Sequence, residues 1–374
     1  MSLQKPQQTL LAVLPFPEPT EFVSRIRKKH SELNVVWVHQ TYGITNFDAS
    51  EQVDPELFKT ATILTTLSAI PTPEQAPELQ FIQLLPAGVD HLLHERIFQH
   101  PTVQIATTSG IHAPQIAEWV VLQILSFTHH ARYLHAAQLE RRWVPHAELQ
   151  AAQGPVRDMT SCRVGILGYG SIGRQVARVC HSMGSEILAF TASARPSQKS
   201  RRDNGFCLPG TGDQEGVLPS AWYHGLDKGS VHEFLRQDID VLVVCLPLTD
   251  QTRYILGEEE FSILGERARK GTSPGSMVIN VSRGGIIDQE ALVASLKRST
   301  AEGGLRCAAL DVTDPEPLPA SSELWLLENV VLHPHVSGLT DQHLQRFLAV
   351  FEQNLERWST GSPLLNLVEK RKGY

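Results

Sequence analysis

Three polar residues in the second half of the chain have side chains that could bind an anion and move a proton. Arg283 follows the apolar run 277–281, Glu316 lies in a proline-rich stretch, and His335 ends the stretch 333–335. An oxygen on which negative charge develops is stabilised when a cation and a proton donor converge on it. Histidine is the side chain that can give and take such a proton near neutral pH. Taken singly, these residues are equally consistent with a surface salt bridge, a loop carboxylate and a histidine at a strand end.

A glycine-rich turn in the middle of the chain indicates a dinucleotide site. An apolar strand leads into Gly168-Tyr169-Gly170-Ser171-Ile172-Gly173, and a stretch with helical periodicity follows. The first glycine permits a tight turn, the second lets a pyrophosphate approach the backbone, and the third lets helix and strand pack closely. The helix N-terminus offers free N–H groups to the phosphates. The spacing alone is a weak signal, and a merely structural turn is the alternative.

The elements that must position these residues alternate between strand-like and helix-like segments, which predicts an α/β fold with parallel sheets. Before the turn, the segments are 10–14, 22–29, 35–39, 55–61, 63–67, 81–85 and 103–107. After the first strand of the turn, five more strand candidates follow at 186–190, 241–245, 277–281, 307–311 and 330–333. Six strands are the count of a doubly wound nucleotide domain. We therefore expect two open parallel-sheet domains, Rossmann-like or flavodoxin-like, separated by a cleft.

The predicted domain boundaries leave the first domain discontinuous. Residues 1–128 and 337–374 form a substrate-binding domain, and residues 129–336 form the dinucleotide-binding domain. A helix is expected to begin at Pro114 and to run toward His130. A second helix, capped by Thr340 and closed by Gly361, is expected to pack on the first domain.

One segment, 197–223, interrupts the alternation. It is rich in glycine, proline, serine and charged residues, and it has little periodicity. A connection of this length inside a compact domain is either functional or loosely ordered. We interpret it as an insertion that contacts a partner subunit or covers the cofactor.

Composition excludes several classes of function. The net charge of −7 argues against a surface that binds nucleic acid or an anionic membrane. No apolar run approaches the ~20 residues that a membrane span requires. The five cysteines are scattered and lack metal-ligand spacing, so we predict buried free thiols, a reducing compartment and no metal. The expected location is the cytoplasm.

Taken together, these motifs resemble the D-isomer-specific 2-hydroxyacid dehydrogenases, the family of enzymes that reduce 2-oxo acids such as glyoxylate and hydroxypyruvate. The likeness extends from Gly88 through the glycine turn to Gly338, with four separate motifs in family order. It implies hydride transfer between a nicotinamide and a 2-oxo acid, and it implies a homodimer.

The resemblance also implies roles for individual residues. His335 is expected to be the general acid and base, Glu316 its orienting partner, and Arg283 the anchor of the substrate carboxylate and carbonyl. Backbone groups near Gly88 and Val89 would bind the carboxylate from the other side. The expected cofactor contacts are Gly168, Gly170, Ser171, Ile172, Gly173, Thr191, Ser193, Arg195, Leu246, Pro247, Thr252, Val281, Ser282, Asp311 and Gly338, with Asp311 at the nicotinamide carboxamide.

The end of the second nucleotide-domain strand departs from the usual NAD pattern. Dinucleotide domains that prefer NAD carry Asp or Glu about 20 residues beyond the glycine turn, to bind the ribose 2′-hydroxyl. Here the strand ends in Thr191-Ala192-Ser193-Ala194-Arg195, which offers two hydroxyls and a guanidinium to a 2′-phosphate. We predict preference for NADP(H), similar to the NADP-using glyoxylate/hydroxypyruvate reductase branch.

Two other functions remain open at the level of sequence. Formate dehydrogenases are similar but pair the histidine with glutamine, whereas residue 316 is acidic here. Co-repressor-like, nucleotide-sensing scaffolds retain the Arg, Glu and His, so the three residues cannot exclude them. Thr313, Asp314 and His333 also depart from the family pattern and leave the shape of the substrate pocket undetermined.

Overall fold

A computed structural model describes residues 8–40 and 53–374. The chain divides into two compact units. Unit 1 comprises Met1–Ile111 and Thr340–Tyr374, and unit 2 comprises His112–Leu339. The predicted first domain also includes residues 1–7 and 41–52, which lie outside the described residues.

Unit 1 is built on a five-stranded parallel sheet in the order β2-β1-β3-β4-β5, as in flavodoxin-like folds. The strands are β1 (Gln8–Leu14), β2 (Leu33–His39), β3 (Ile63–Thr66), β4 (Phe81–Leu84) and β5 (Gln104–Ala106). The helices are α1 (Thr20–Lys29), α2 (Pro55–Lys59) and α11 (His343–Thr360), the last of which closes the chain. β1, β3 and β4 contain runs of buried residues because a parallel sheet is covered on both faces.

Helix α11 packs within unit 1 through its aromatic face. Phe351 stacks against Phe22 of α1 with ring centroids 6.2 Å apart, and Trp358 stacks against Phe81 of β4 at 5.5 Å. The helix ends at Gly361, whose φ of +68° is the left-handed conformation expected of a C-cap glycine. The predicted cap Thr340 is wrong, because the residue before the first helical turn is Gln342.

Unit 2 is built on a seven-stranded parallel sheet in the order β12-β11-β10-β9-β6-β7-β8. The strands are β6 (Arg163–Leu167), β7 (Glu186–Thr191), β8 (Ala221–His224), β9 (Val241–Val244), β10 (Met277–Asn280), β11 (Cys307–Leu310) and β12 (Val330–Leu332). The helices are α3 (Ala113–Thr128), α4 (Ala131–Leu139), α5 (His146–Gln153), α6 (Ser171–Ser182), α7 (Gln198–Arg201), α8 (Lys228–Leu235), α9 (Glu258–Arg269) and α10 (Gln289–Lys297). Hydrophobic clusters cover both faces of this sheet.

The strand order of unit 2 reverses between β6 and β9. From β6 the chain winds outward through β7 and β8, then crosses to β9 and winds the other way. Ligands of doubly wound sheets bind at this switch point, beyond the carboxyl ends of the strands. The α/β fold with two parallel sheets is therefore confirmed, and unit 2 is a Rossmann-type domain.

Two details differ from the sequence expectation. The nucleotide sheet has seven strands rather than six, because β8 forms at the end of the 197–223 segment and pairs with β7. β8 is a short edge strand with a half-buried surface, so it lacks the apolar run that marks the inner strands. Helix α3 belongs to unit 2, because its buried residues share one core cluster with β6 and α6.

Two expectations drawn from composition concern the cysteines and the lack of a membrane span. All five thiols are free, and three of them, Cys162, Cys180 and Cys307, are buried. Burial raises the pKa of Cys180 and of Cys307 to about 12, which keeps both thiols protonated. Among residues 8–40 and 53–374, no helix is long and apolar enough to cross a membrane.

Candidate active site

The three glycines of the turn between β6 and α6 have different surroundings. Gly168 has a φ of +105°, and a Cβ atom there would lie 2.6 Å from the carbonyl oxygen of Cys245. A Cβ atom on Gly173 would collide with the carbonyl oxygen of Gly168. A Cβ atom on Gly170 would meet no protein atom within 4 Å. Open space at the middle glycine is what a pyrophosphate needs in order to approach the backbone, so the turn fits a dinucleotide.

Hydrogen bonds join the glycine turn to the neighbouring strand. The backbone N–H groups of Gly168 and Tyr169 donate to the carbonyl oxygen of Phe190, at 3.1 and 3.2 Å. Gly170 occupies the N-cap of α6, and Ser171 and Ile172 form the first turn of the helix with half-buried side chains. The helix N-terminus therefore lies beside the carboxyl end of β7, where an adenosine ribose would follow a bound pyrophosphate.

The end of β7 carries no carboxylate. The hydroxyl of Thr191 donates to the carbonyl oxygen of Ser193 at 2.8 Å, and Ser193 itself is exposed. Nη1 of Arg195 donates to the carbonyl oxygen of Ser200 at 2.7 Å, which folds the guanidinium back along this loop. The region thus offers hydroxyl and guanidinium donors, and both suit a phosphate group.

The loops after β9 and β10 are tied together on the other side of the switch point. The hydroxyl of Thr252 donates to the carbonyl oxygen of Pro247 at 2.7 Å. The hydroxyl of Ser282 donates to the carbonyl oxygen of Leu246, and Val281 N–H donates to Val244 at 3.3 Å. These bonds fix the backbone beyond β9 and β10, where the expected cofactor contacts 246–252 and 281–282 lie.

Arg283 follows β10 directly and is held by its own strand. The buried Asn280 at the end of β10 accepts from Ser282 N–H at 3.1 Å and donates to the carbonyl oxygen of Arg283 at 2.9 Å. Nη1 of Arg283 donates to the carbonyl oxygen of Ser282 at 2.8 Å. Sequence analysis did not identify Asn280 as a support, although an amide at the end of an apolar strand was a visible signal.

The loop after Arg283 lies against the loop that carries Glu316. Gly284 is so close to the carbonyl group of Thr313 that a Cβ atom could not be accommodated. The backbone N–H of Tyr254 donates to the carbonyl oxygen of Gly285 at 2.8 Å, and its hydroxyl donates to Asp314 at 3.0 Å. Only glycine permits this approach of the loop after Arg283 to the loop that carries Glu316.

His335 and Glu316 form a direct pair. Nδ1 of His335 lies 2.8 Å from Oε1 of Glu316, and the two side chains are 47% and 40% exposed. The hydrogen bond to Glu316 raises the pKa of His335, whereas burial and the positive charge of Arg283 oppose the increase. The imidazole is therefore favoured in its charged form, with Nε2 left to meet a ligand.

The backbone of His335 is itself held in an uncommon conformation. Its φ is +55°, a left-handed value that a histidine adopts at some cost. Its N–H donates to the carbonyl oxygen of Asp311 at 2.8 Å. The conformation turns the chain sharply just where the imidazole is presented to Glu316.

Asp311, expected at the nicotinamide carboxamide, has a buried carboxylate that binds the histidine loop. Its carboxylate accepts from Val336 N–H at 2.9 Å and from Ser337 N–H at 3.1 Å, and it also accepts from the Ser337 hydroxyl. This loop-anchoring role was not evident from the sequence, because it depends on contacts between residues 25 and 26 positions apart.

A second histidine near the site is held by helix α3. The indole N–H of Trp119 donates to Nδ1 of His333 at 2.8 Å, with the two rings edge to face. Nδ1 of His333 is therefore the unprotonated nitrogen. Nearby, the carbonyl oxygen of Gly338 accepts from the amide of Gln115 at 3.0 Å. Sequence analysis identified neither α3 contact.

Gly88 and Val89 lie in unit 1, beyond the carboxyl end of β4. Val89 is buried, Gly88 is half-buried, and a short 3₁₀ helix, Asp90–Leu92, follows. Their position at the carboxyl edge of a parallel sheet is typical of a ligand-binding loop.

One group of side chains within 8–40 and 53–374 has the types and spacing of metal ligands: His232, Glu259 and Glu260. Glu260 is buried and already accepts from His232 at 2.6 Å and from the Lys228 ammonium at 2.8 Å. A lysine on the same carboxylate would repel a cation. The group is better described as an ion-pair network around the buried Glu260 carboxylate than as a metal site.

Comparison with known proteins places the chain among enzymes of one kind. Residues 121–207 and 216–337 match the family model described as D-isomer specific 2-hydroxyacid dehydrogenase, NAD binding domain. A glyoxylate reductase of Aeropyrum pernix is 28% identical over 300 residues, with 79% of this chain and 78% of the relative aligned. A hydroxypyruvate reductase of Blautia hydrogenotrophica is 22% identical over 331 residues, covering 88% of this chain and 91% of the relative.

A solved structure is similar over almost the whole chain. The D-isomer specific 2-hydroxyacid dehydrogenase of Xanthobacter autotrophicus, crystallised with NADPH and MES, superposes with a TM-score of 0.71. It is 25% identical, and the match covers 98% of this chain and 100% of the other. The matches in sequence and in fold therefore point to the same family.

Proposed function

Because the chain belongs to the D-isomer specific 2-hydroxyacid dehydrogenase family and is an oxidoreductase, we propose that it reduces a 2-oxo acid to a D-2-hydroxy acid with NAD(P)H and catalyses the reverse reaction. The observation that carries the proposal is the His335–Glu316 pair, with Nδ1 and Oε1 2.8 Å apart, in the same unit as the glycine turn. A proton donor with a raised pKa is what carbonyl reduction requires beside a hydride source.

The protein groups divide the work of the reaction. The nicotinamide, when bound, supplies the hydride. His335 holds a proton at Nε2 and gives it to the carbonyl oxygen as negative charge develops there. Glu316 orients the ring by accepting from Nδ1–H, and it stabilises the imidazolium before transfer. In the oxidation direction, neutral His335 takes the hydroxyl proton back.

Arg283 is the proposed anchor of the substrate. Its planar guanidinium can bind two oxygens at once, and its positive charge lowers the pKa of His335. Because Arg283 lowers the pKa that Glu316 raises, the His335 imidazolium is a stronger acid than it would be beside Glu316 alone. Gly88 and Val89 are proposed substrate contacts, supported by their place at the carboxyl edge of the unit 1 sheet.

We also propose that the cofactor is NADP(H) in preference to NAD(H). The support is the end of β7, where Thr191, Ser193 and Arg195 stand and no carboxylate could repel a 2′-phosphate. The Xanthobacter protein binds NADPH in its crystal. Comparison of kcat/KM for NADPH and NADH tests this choice. A preference for NADH of about tenfold or more, 1.4 kcal/mol in the other direction, would contradict it.

The proposed substrate class is the small 2-oxo acids. The Aeropyrum and Blautia relatives are named for glyoxylate and hydroxypyruvate, and Arg283 offers a guanidinium suited to the carboxylate that both of these acids carry. The test is NADPH oxidation with glyoxylate, hydroxypyruvate, pyruvate, and branched and aromatic 2-oxo acids. Turnover of at least one is expected. Tight NADPH binding without turnover of any would instead favour a nucleotide-sensing scaffold.

The proposed assembly is a homodimer in the cytoplasm. Several apolar side chains on and after α3 and α4 are exposed: Leu122 is 58%, Leu139 is 73% and Trp143 is 93% exposed. These three side chains lie on α3, at the end of α4 and just after it, and exposed apolar surface of this kind is typical of protein interfaces. A second copy of the chain is the partner that the family likeness favours. Cell fractionation tests the compartment.

A further inference from the structure

The 197–223 segment is ordered and bound to the dinucleotide turn. It stands where a doubly wound domain has a crossover helix, yet its only helix is the four-residue α7. Three residues of α6 hold it through hydrogen bonds. Nη2 of Arg174 donates to the carbonyl oxygen of Arg201 at 2.7 Å, and Gln175 accepts from Gly212 N–H at 2.6 Å. Arg178 donates to the carbonyl oxygen of Gly212 at 3.3 Å.

The glycine turn itself contributes the most buried contact. The hydroxyl of Tyr169, between the first two glycines, donates to Asp213 at 2.7 Å. Tyr169 and Asp213 are 4% and 5% exposed, and Asp213 also accepts from Val217 and Leu218 N–H groups. Burial first, and then the charge of Asp213, raise the pKa of Tyr169, so its hydroxyl stays protonated and donates. Fully paired polar groups in a dry site favour one arrangement of the segment.

A chain of contacts runs from this pair to the basic loop after β7. The Trp222 ring lies edge to face on Tyr169, with centroids 5.0 Å apart. The guanidinium of Arg201 lies over Trp222 at 5.6 Å, and its Nε donates to the carbonyl oxygen of Arg195 at 3.0 Å. Arg195 and Arg201 are therefore linked through Trp222 to Tyr169, whose position is held by the hydrogen bond from its hydroxyl to Asp213.

We propose that the 197–223 segment is a clasp that orders the 2′-phosphate end of the cofactor site, with Tyr169 and Asp213 as its lock. Tyr169 is then a positioning residue for the choice between NADPH and NADH. The inference rests on the proposed NADP(H) preference, and it identifies a structural cause of that preference. A guanidinium held in place before binding loses less rotamer freedom when it meets a phosphate, so a loosened clasp weakens the phosphate contact selectively.

The test measures binding without catalysis, by calorimetry with adenosine 2′,5′-bisphosphate and with 5′-AMP. Tyr169→Phe removes the hydroxyl and keeps the ring. It should weaken adenosine 2′,5′-bisphosphate by about fivefold or more, because a buried carboxylate loses one donor, while 5′-AMP changes less than about twofold. Glu215→Gln is the matched control, because it removes only the exposed ion pair with Arg202 on the same segment. Trp222→Leu should act like Tyr169→Phe, and its indole N–H has no hydrogen-bond partner to lose.

Each other outcome decides against the clasp. Equal weakening of both nucleotides in Tyr169→Phe would mean a purely structural role, and no change in either would mean no role. If wild type and the variants all bind the bisphosphate better than 5′-AMP and by the same factor, the clasp proposal is contradicted and the NADP(H) preference stands. If wild type does not distinguish the two nucleotides, the NADP(H) preference fails and the clasp with it.

Discussion

His335 combines a left-handed backbone, a carboxylate at Nδ1 and a nearby guanidinium. Two of these features act on its proton in opposite directions: Glu316 raises the pKa and Arg283 lowers it. The raised pKa favours the charged imidazolium, which can release its proton to a developing alkoxide. At the residue scale, the consequences concern pH and anion binding.

Replacement of Glu316 should change the pH dependence of the reaction. Reduction needs protonated His335, so its rate falls as pH rises through the raised pKa. In Glu316→Gln the neutral amide no longer stabilises the imidazolium, the pKa of His335 falls, and the alkaline limb of the kcat/KM profile moves to lower pH. The acid limb for oxidation should move the same way. An unchanged alkaline limb would remove Glu316 from the mechanism.

Replacement of Arg283 should distinguish the contribution of its positive charge to substrate binding from the contribution of its planar shape. Arg283→Lys keeps the charge but loses the planar fork, and we expect KM for the 2-oxo acid to rise by about tenfold or more, within the range for a hydrogen bond to a charged group. Arg283→Ala should be worse. Arg96→Lys, in an exposed ion pair of unit 1 with Glu74, is the control and should leave KM unchanged. Steady-state kinetics at saturating NADPH gives the answer, and equal KM values in Arg283→Lys and wild type would exclude bidentate anchoring.

Among the elements, the strand–turn–helix at 163–182 is the one whose geometry fits a dinucleotide. Its two buried glycines and its one open glycine serve different purposes, since Gly168 and Gly173 meet protein atoms and Gly170 meets none. Substitution of Gly170 should therefore affect cofactor binding, whereas substitution of Gly173 should affect the stability of the fold.

Gly170→Ala should preserve the fold and damage cofactor binding. The added methyl group occupies space that the protein leaves open, so Tm should change little, but NADPH affinity should fall by about tenfold to a hundredfold, as expected when a methyl group overpacks a close contact. Gly173→Ala should destabilise the domain by about 1–3 kcal/mol, because its methyl group collides with the Gly168 carbonyl. Thermal unfolding and NADPH titration distinguish the two. If Gly170→Ala binds NADPH as tightly as wild type does, the pyrophosphate does not bind at this turn.

The sequence predicted these elements well and their contacts poorly. Buried parallel strands produce apolar runs, so the five strands of unit 1 and six of the seven in unit 2 were legible. β8 was not, because a four-residue edge strand with three half-buried residues and one exposed residue has no such run. Neither Tyr169–Asp213 nor Trp119–His333 was legible, because periodicity reports which face is buried and not which distant residue it meets.

At the scale of the whole molecule, the chain consists of two parallel-sheet units of related design. The segment that returns to unit 1, Thr340–Tyr374, follows directly on the loop that carries His335. The amphipathic pattern of the last helix, which follows the final nucleotide-domain strand, predicted this discontinuous arrangement. The position of α3 was not predicted, because it depends on packing against α6, and periodicity does not report which element a helix meets.

The exposed apolar surface on and after α4 should be the dimer interface. Leu139→Glu combined with Trp143→Glu introduces two charges there, and we expect sedimentation to show a monomer where wild type sediments as a dimer. Leu226→Glu is the control and should leave the dimer intact, because Leu226 is 46% exposed and follows β8, at the opposite edge of the unit 2 sheet from β12, which contacts α4 through Arg132. A wild-type monomer would contradict the assembly, and a dimer in the double variant would move the interface elsewhere.

In the proposed mechanism, His335 delivers the proton that accompanies hydride transfer. The most direct measurement is single-turnover oxidation of NADPH by His335→Gln with a 2-oxo acid that wild type reduces, alongside the Kd for NADPH. We expect the hydride-transfer rate to fall by about 10²-fold or more, the range of general acid catalysis, with the Kd nearly unchanged. A variant that retains the wild-type rate would contradict the mechanism.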